Sequence, residues 1–294
     1  MTDPLALFET QRPRLKRLAY RMLGSVSEAE DVVQDAWMRW ERAGAVADNP
    51  QAWLIQTTTR LCLDRLKSAR ARREAYVGPW LPEPLVETAE DDPLERAEDV
   101  SIAFLLALER LSPLERAVFL LHDVFDQDYA DVARVLDRDE AACRQLASRA
   151  RGHLKAARPR FTVPRDEAVK LARAFMAAAT RGDFASLSAL LAEDAVMITD
   201  GGGKRPSALR PMIGREDVMS LLRGLAWRQA WPLGGEPAMV RINSLPGVVL
   251  NDGGGLTIIA FEPDGEGRLA AIYVMRNPEK LTHLAGAARP GQPG

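Results

Sequence analysis

The sequence predicts a multidomain fold: two all-α domains, the second carrying a helix-turn-helix, followed by an α+β domain. Three observations point to it. Apolar residues recur at helical spacing through about residue 155. The run Gly78-Pro79-Trp80-Leu81-Pro82-Glu83-Pro84 interrupts the helices. Beyond residue 195, short apolar runs separated by Gly-rich turns replace the helical pattern. Helices first and strands after is the order of an α+β arrangement. A length of 294 residues fits about two or three domains, and 47% hydrophobic with 27% charged residues fits a packed core. These figures exclude a disordered or collagen-like chain. Two cysteines, Cys62 and Cys143, exclude a disulfide scaffold and fit a reducing compartment. No run approaches the ~20 apolar residues of a membrane span, and the N-terminal residues do not read as a signal peptide. The reading is therefore a cytoplasmic protein with no membrane association.

The first helix carries Leu15, Leu18, Ala19, Met22 and Leu23 at helical spacing. Residues 27–30 (Ser-Glu-Ala-Glu) offer an N-cap to a second, with Val32, Val33, Ala36, Trp37 and Trp40 apolar. Asp48-Asn49-Pro50 opens a third, with Pro50 in its first turn. After the Gly/Pro break, an acidic stretch reads as a solvated linker, and helices resume at about 98–110 and at Ser112-Pro113. In the second half, residues 166–180 and 184–191 read as helices, with Gly182 closing the first. Strands are expected at 195–199, 238–242, 247–250, 256–261 and 269–275, in an antiparallel-looking meander with a helix at 216–227.

The net charge of −2 conceals blocks. Residues 60–73 hold six basic residues and one acid, Asp64; residues 144–160 hold six basic residues and no acid; residues 87–99 hold seven acids and one Arg. Residues 128–136 and 139–151 read as two helices joined by Asp137-Arg138. Ala130, Val132, Ala133 and Leu136 form the apolar face of the first; Cys143, Ala147, Ala150 and Leu154 face inward on the second, with Asp139 as its N-cap. Arg144, Gln145, Ser148 and Arg149 are left outward, the side chains that reach phosphates and base edges. An ordinary helical hairpin with a solvated basic face is the alternative. Asp123, Asp126, Asp128 and Asp131 restrict any DNA contact to one face.

A second basic helix, at 60–73, follows Asn49, Trp53 and Thr57-Thr58-Thr59. Basic charge beside aromatic and small polar groups suits separated strands; Trp53 as core is the other reading. Asp31, Gln34 and Asp35, with Trp37 nearby, form an acidic stripe suited to a basic partner helix.

These residues together resemble the extracytoplasmic-function group of bacterial sigma-seventy-type transcription initiation factors. Residues 28–40 (Glu-Ala-Glu-Asp-Val-Val-Gln-Asp-Ala-Trp-Met-Arg-Trp) are similar to that family's polymerase-binding segment, residues 49–73 to its −10-element segment, and Leu111-Ser-Pro-Leu-Glu-Arg116 with the helix-turn-helix to its −35-reading domain. The remainder resembles the subgroup with a fused, cone-shaped SnoaL-like barrel domain. Three signatures carry that likeness: Trp80-Leu81-Pro82-Glu83-Pro84-Leu85, Asp200-Gly201-Gly202-Gly203-Lys204 and Asn277-Pro278-Glu279-Lys280-Leu281, where Glu279 replaces a usual Asp. The resemblance implies sigma region 2 at 1–76, a linker at 77–97, sigma region 4 at 98–160, a SnoaL-like regulatory domain at 165–284 and a disordered tail at 285–294. It implies promoter-specific initiation with core RNA polymerase, regulated in cis by the three signatures. By the same likeness, Asp31, Gln34, Asp35 and Trp37 would meet the clamp of the largest polymerase subunit. Asn49, Trp53, Arg60, Arg65, Lys67, Arg70, Arg72 and Arg73 would contact the opened −10 element. Arg138, Arg144, Gln145, Ser148 and Arg149 would read the −35 element, with Asp137 standing where the turn usually has Gly.

The competing reading is a SnoaL-like cyclase or isomerase fused to a DNA-binding module. Its chemistry needs a general acid or base in an apolar cavity. The second half offers one His, His283, beyond the last strand, and Asp194, Asp200 and Asp252 beside strand ends. Residues 200–204 are not a phosphate loop, because Ile198 and Arg205 occupy the first Gly and the Ser/Thr positions of that motif. No metal-ligand spacing or Ser/His/Asp arrangement is visible among His122, His153 and His283, so neither catalysis nor a cofactor is expected. The pocket of such a domain could take a small-molecule ligand. Lys204 is placed to pair with Glu83 of the linker.

Overall fold

A computed structural model describes residues 3–43, 49–87, 100–155, 163–227, 237, 239–251 and 253–284, with the backbone alone over 69–74. The chain forms two units, one from Met1–Ala75 with Ile102–Arg158 and the other from Tyr76–Ser101 with Pro159–Gly294.

The first unit is helical. Helix α1 (Pro4–Leu23) is capped by Asp3 and ends on Gly24 in the left-handed region, φ 67°. Helix α2 (Val26–Arg42) takes Ser25, not the expected Ser27, as its cap: the Ser25 hydroxyl accepts from the Glu28 amide. Ser25 has the extended backbone that a cap requires, whereas Ser27 is already helical. Helix α3 (Pro50–Glu74) opens on Pro50 as predicted. Helices α4 (Ile102–Leu108) and α5 (Pro113–Phe119) follow, α5 beginning in a capping box between Ser112 and Glu115. A single π-helical turn, Leu120–Val124, leads to the helix-turn-helix, α6 (Tyr129–Leu136) and α7 (Glu140–Leu154). The buried face of α6 is Val132, Ala133, Val135 and Leu136; Ala130 is exposed and Val135 takes the place expected for it. Cys143, Ala147, Ala150 and Leu154 of α7 are buried as expected. Helices α1, α2 and α3 pack together, and α3 also lies against α5 and α6.

The second unit pairs three helices, α8 (Arg165–Arg181), α9 (Phe184–Leu190) and α10 (Arg215–Trp227), with a seven-stranded sheet. The strands are β1 (Val86–Glu87), β2 (Leu191–Asp200), β3 (Met212–Ile213), β4 (Met239–Ile242), β5 (Leu245–Asn251), β6 (Leu256–Pro263) and β7 (Leu269–Met275). Their order is β1-β4-β5-β6-β7-β2-β3. β4 to β7 form the expected antiparallel meander, but β2 joins β7 in parallel, so the sheet is mixed. Local pattern identifies strands without revealing such a distant pairing. Phe175, Leu187, Met197, Leu222, Ile259, Phe261 and Ile272 belong to the core between helices and sheet, where the Phe175 and Phe261 rings meet at 5.5 Å. Residues 77–87, expected as linker, belong to this unit, as does Tyr76, expected at the end of the first helical domain; β1 pairs with β4, and Leu81 is fully buried. Burial of one Leu contributes about 1.5–3 kcal/mol. The acidic residues 88–99 and the tail 285–294 lie outside the described residues.

Candidate nucleic-acid interface and linker site

The turn of the helix-turn-helix is made without glycine. Asp137 adopts φ 54°, ψ 55°, and its amide donates to the Ala133 carbonyl. Asp is among the few side chains that tolerate this left-handed conformation. Asp139 then caps α7 by accepting from the Ala142 amide at 2.7 Å. Arg138, Arg144, Gln145, Ser148 and Arg149 are all exposed. Arg144 pairs with Glu140 at 2.8 Å and covers the Tyr129 ring; Arg149 pairs with Glu115 at 3.1 Å. Burial opposes ionisation of Glu115, but hydrogen bonds from the Ser112 hydroxyl and amide, with His153 and Arg149 nearby, hold its carboxyl below the usual value.

Helix α3 places its predicted residues differently. The Asn49 side chain caps the helix, accepting from the Ala52 amide at 3.0 Å. Trp53 is half-buried and meets Trp40 at 5.4 Å. Thr57, Thr58 and Thr59 are buried, so they line packing rather than a strand-facing surface. Gln56 and Arg60 donate to the carbonyls of Arg134 and Val135 at the end of α6, at 3.1 and 3.4 Å. Helix C-termini present such unsatisfied carbonyls, and a guanidinium suits their partial negative charge. Arg65 reaches Asp31 at 3.2 Å and Asp35 at 3.3 Å. Lys67 pairs with Asp64 at 2.8 Å. Arg70, Arg72 and Arg73 lie on the helix, but their side chains fall outside the described residues.

On α2, Asp31, Gln34 and Met38 are exposed and Asp35 is half-exposed, one stripe at i, i+3, i+4 and i+7. Trp37 is half-buried and packs on Phe8, with ring centroids 4.9 Å apart. Met38 completes the stripe; its helical spacing from Asp31 and Gln34 is the signal that charge alone does not carry. Another residue that pattern does not single out is Arg116, which is 3% exposed and donates to the Met22 carbonyl at 2.6 Å and to Glu109 at 2.7 Å. Burial lowers its pKa to about 10.

In the second unit the three signatures meet. Asp200, fully buried, accepts from the Tyr76 hydroxyl at 2.5 Å, the Leu81 amide at 2.8 Å and Lys280 Nζ at 2.7 Å. Lys280 also donates to the Leu81 carbonyl and lies 4.2 Å from the Trp80 ring centroid and 4.8 Å from that of Tyr76. Asn277 Nδ2 donates to the Tyr76 oxygen at 2.7 Å. Burial and the Asp200 carboxylate hold the Tyr76 phenol protonated well above its ordinary range. Gly202, at φ +58°, has room for no side chain: a Cβ would lie 2.2 Å from Asn277 Nδ2. Further along, His283 Nε2 contacts the Pro84 carbonyl at 2.9 Å, and Leu85 exchanges two hydrogen bonds with Asn243. Glu83 is buried, whereas Lys204 pairs with Glu279 at 3.2 Å. The expected Lys204–Glu83 partnership is thus corrected: the DGGGK lysine reaches the 277–281 signature. Tyr76, just before the Gly/Pro break, belongs to this site although none of the three signatures contains it.

A cleft of about 230 Å³ opens among α8, α9 and α10, lined by Ala179, Phe184, Leu187, Leu222 and Ala226, with Thr180, Arg181 and Gly182. Those lining residues include neither a carboxylate nor an imidazole. Among the described residues, no helix is long and apolar enough to cross a membrane.

Residues 7–72 match the family model for sigma-70 region 2, and residues 101–154 match that for sigma-70 region 4. The chain is 38% identical to the ECF RNA polymerase sigma factor SigJ of Mycobacterium tuberculosis, over 97% of this chain and 96% of that one. The chain belongs to the ECF RNA polymerase sigma factors. A second relative, the probable ECF sigma factor SigI of M. tuberculosis, is 33% identical over 96% of each chain. The crystal structure of M. tuberculosis SigJ superposes on this sigma factor with a TM-score of 0.78 and 36% identity, covering 95% of this chain and 98% of that one. The family match therefore extends through the second unit, and this sigma factor carries a C-terminal α+β domain of the SnoaL-like type. Core RNA polymerase and promoter DNA are the partners that sigma domains imply.

Proposed function

We propose that this sigma factor divides promoter recognition between α3, for the opened −10 element, and α7, for the −35 element, and docks through the α2 stripe. Asp31, Gln34 and Asp35 meet the clamp of the largest polymerase subunit; Trp37 supports them. Arg60, Arg65, Lys67, Arg70, Arg72 and Arg73 contact −10 DNA, with Asn49 and Trp53 fixing the start of the helix. Arg138, Arg144, Gln145, Ser148 and Arg149 read the −35 element. Residues 1–76 and 98–160 serve as regions 2 and 4, and residues 165–284 regulate them through the 77–97 linker, in the cytoplasm and without covalent chemistry. The α8–α10 cleft is where a small ligand could act.

The observation that carries cis regulation is the buried Asp200–Lys280 pair, which holds Leu81 of the linker by both its amide and its carbonyl. Promoter-specific transcription with core polymerase tests the reading. The full chain and a chain cut after Arg160 should both initiate, at different levels. Initiation by neither would overturn the sigma assignment for these residues; equal output would overturn cis regulation.

A further inference from the structure

Resting on that reading of α2 and α3, we infer that Arg65 is shared between the two interfaces: polymerase docking on Asp31 and Asp35 releases its guanidinium to promoter DNA. Three observations on the first unit support this. Arg65 emerges in the middle of the basic run of α3, yet it bridges both acids of the docking stripe, at 3.2 and 3.3 Å. Its side chain retains 28% exposure, and those of Asp31 and Asp35 retain 62% and 39%, so all three are open to exchange with outside partners. The juxtaposition is also built in, because α2 and α3 pack along each other.

A carboxylate pair cannot hold Arg65 and a polymerase cation equally well. When an outside cation takes Asp31 and Asp35, Arg65 loses its partners while already lying on a helix that bears Arg60, Lys67, Arg70, Arg72 and Arg73. A phosphate is then its natural ligand. In the free chain the same acids hold Arg65 away from phosphate. Arg65 is thus a positioning residue for the docking stripe before assembly and a DNA contact after it.

The test is a charge-removal cycle on the full chain, read as binding of a labelled, mixed-sequence single-stranded 20-mer at low salt, where phosphate contacts dominate. D31N/D35N should tighten binding by about three- to tenfold, the range that two exposed ion pairs can supply. The same pair of changes in an R65Q background should give no gain over R65Q alone, and in an R65K background the gain should return. Equal gains in the parent and in the R65Q background would mean general charge repulsion and would overturn the proposal, as would no gain in the parent. K67Q/R70Q separates the two levels: it should weaken binding whatever Arg65 does. If K67Q/R70Q has no effect, α3 does not bind DNA, and the reading beneath the proposal falls with it. Thermal melts of the variants at Asp31, Asp35, Arg65 and Lys67 should match the parent, since each of those side chains is exposed or half-exposed.

Discussion

Two ion-pair systems in this sigma factor use the same chemistry in opposite settings. Arg65 with Asp31 and Asp35 stays open to water on the first unit. Lys280 with Asp200 is almost wholly buried in the second, with the Leu81 backbone and two aromatic rings completing its shell. An exposed pair is worth little and exchanges readily. A buried pair with every donor and acceptor engaged is costly to break from one side. The difference teaches which of the two is a contact to be traded and which is a fixture.

The largest effect that would break this contrast is at Lys280. Lys280→Met strands the Asp200 carboxylate and should cost about 3–5 kcal/mol in denaturant unfolding of the second unit. The double change Asp200→Asn/Lys280→Met should recover most of it, and a loss of under about 1 kcal/mol in the single variant would make the pair no different from a surface one. Gly202→Val should follow at about 2–3 kcal/mol, because φ +58° and the Asn277 and Tyr76 side chains leave no room for it. A normal melting temperature would show that the loop relaxes.

Glu262 sharpens the contrast with a half-buried acid that has no cation in its hydrogen bond. It accepts from the Tyr273 hydroxyl at 2.6 Å, and burial raises its pKa above the ordinary 4.5 despite that bond. The folded state thus binds this proton more tightly than the unfolded chain. The resulting stability is complete below the ordinary value and lost as pH rises through the raised one. Glu262→Gln should therefore raise the melting temperature above neutrality and lose its advantage under acid conditions; an advantage independent of pH would refute the assignment. Smallest of all, Lys16→Met at the exposed Lys16–Glu30 pair should change stability by under about 1 kcal/mol.

What could be read from the sequence was what neighbours along the chain decide. The Asp139 cap, the Pro50 start, the Gly182 stop and the inward face of α7 all follow from side chains close together along the chain, and the structure has them. The parallel β2–β7 pairing joins strands about 75 residues apart, and nothing local encodes it. The same holds for the site. The acids of the α2 stripe are legible from their charge, whereas Met38 joins it through helical spacing. That Arg65 answers it, that Arg60 caps α6, and that Lys204 meets Glu279 rather than Glu83 depend on how helices and loops pack. The convergence of the three signatures was available only through family likeness, since Leu81 and Lys280 are 199 residues apart.

The short strand β1 has a practical consequence. It occupies the outer side of β4, whose backbone amides and carbonyls would otherwise face solvent. Exposed edges of this kind recruit other chains. A fragment begun at residue 165, at the first helix of the domain, would bare that edge together with the surface that now buries Leu81, and should self-associate. A fragment assembled with residues 76–87 retained should stay monomeric, because the linker shields the domain it is tethered to.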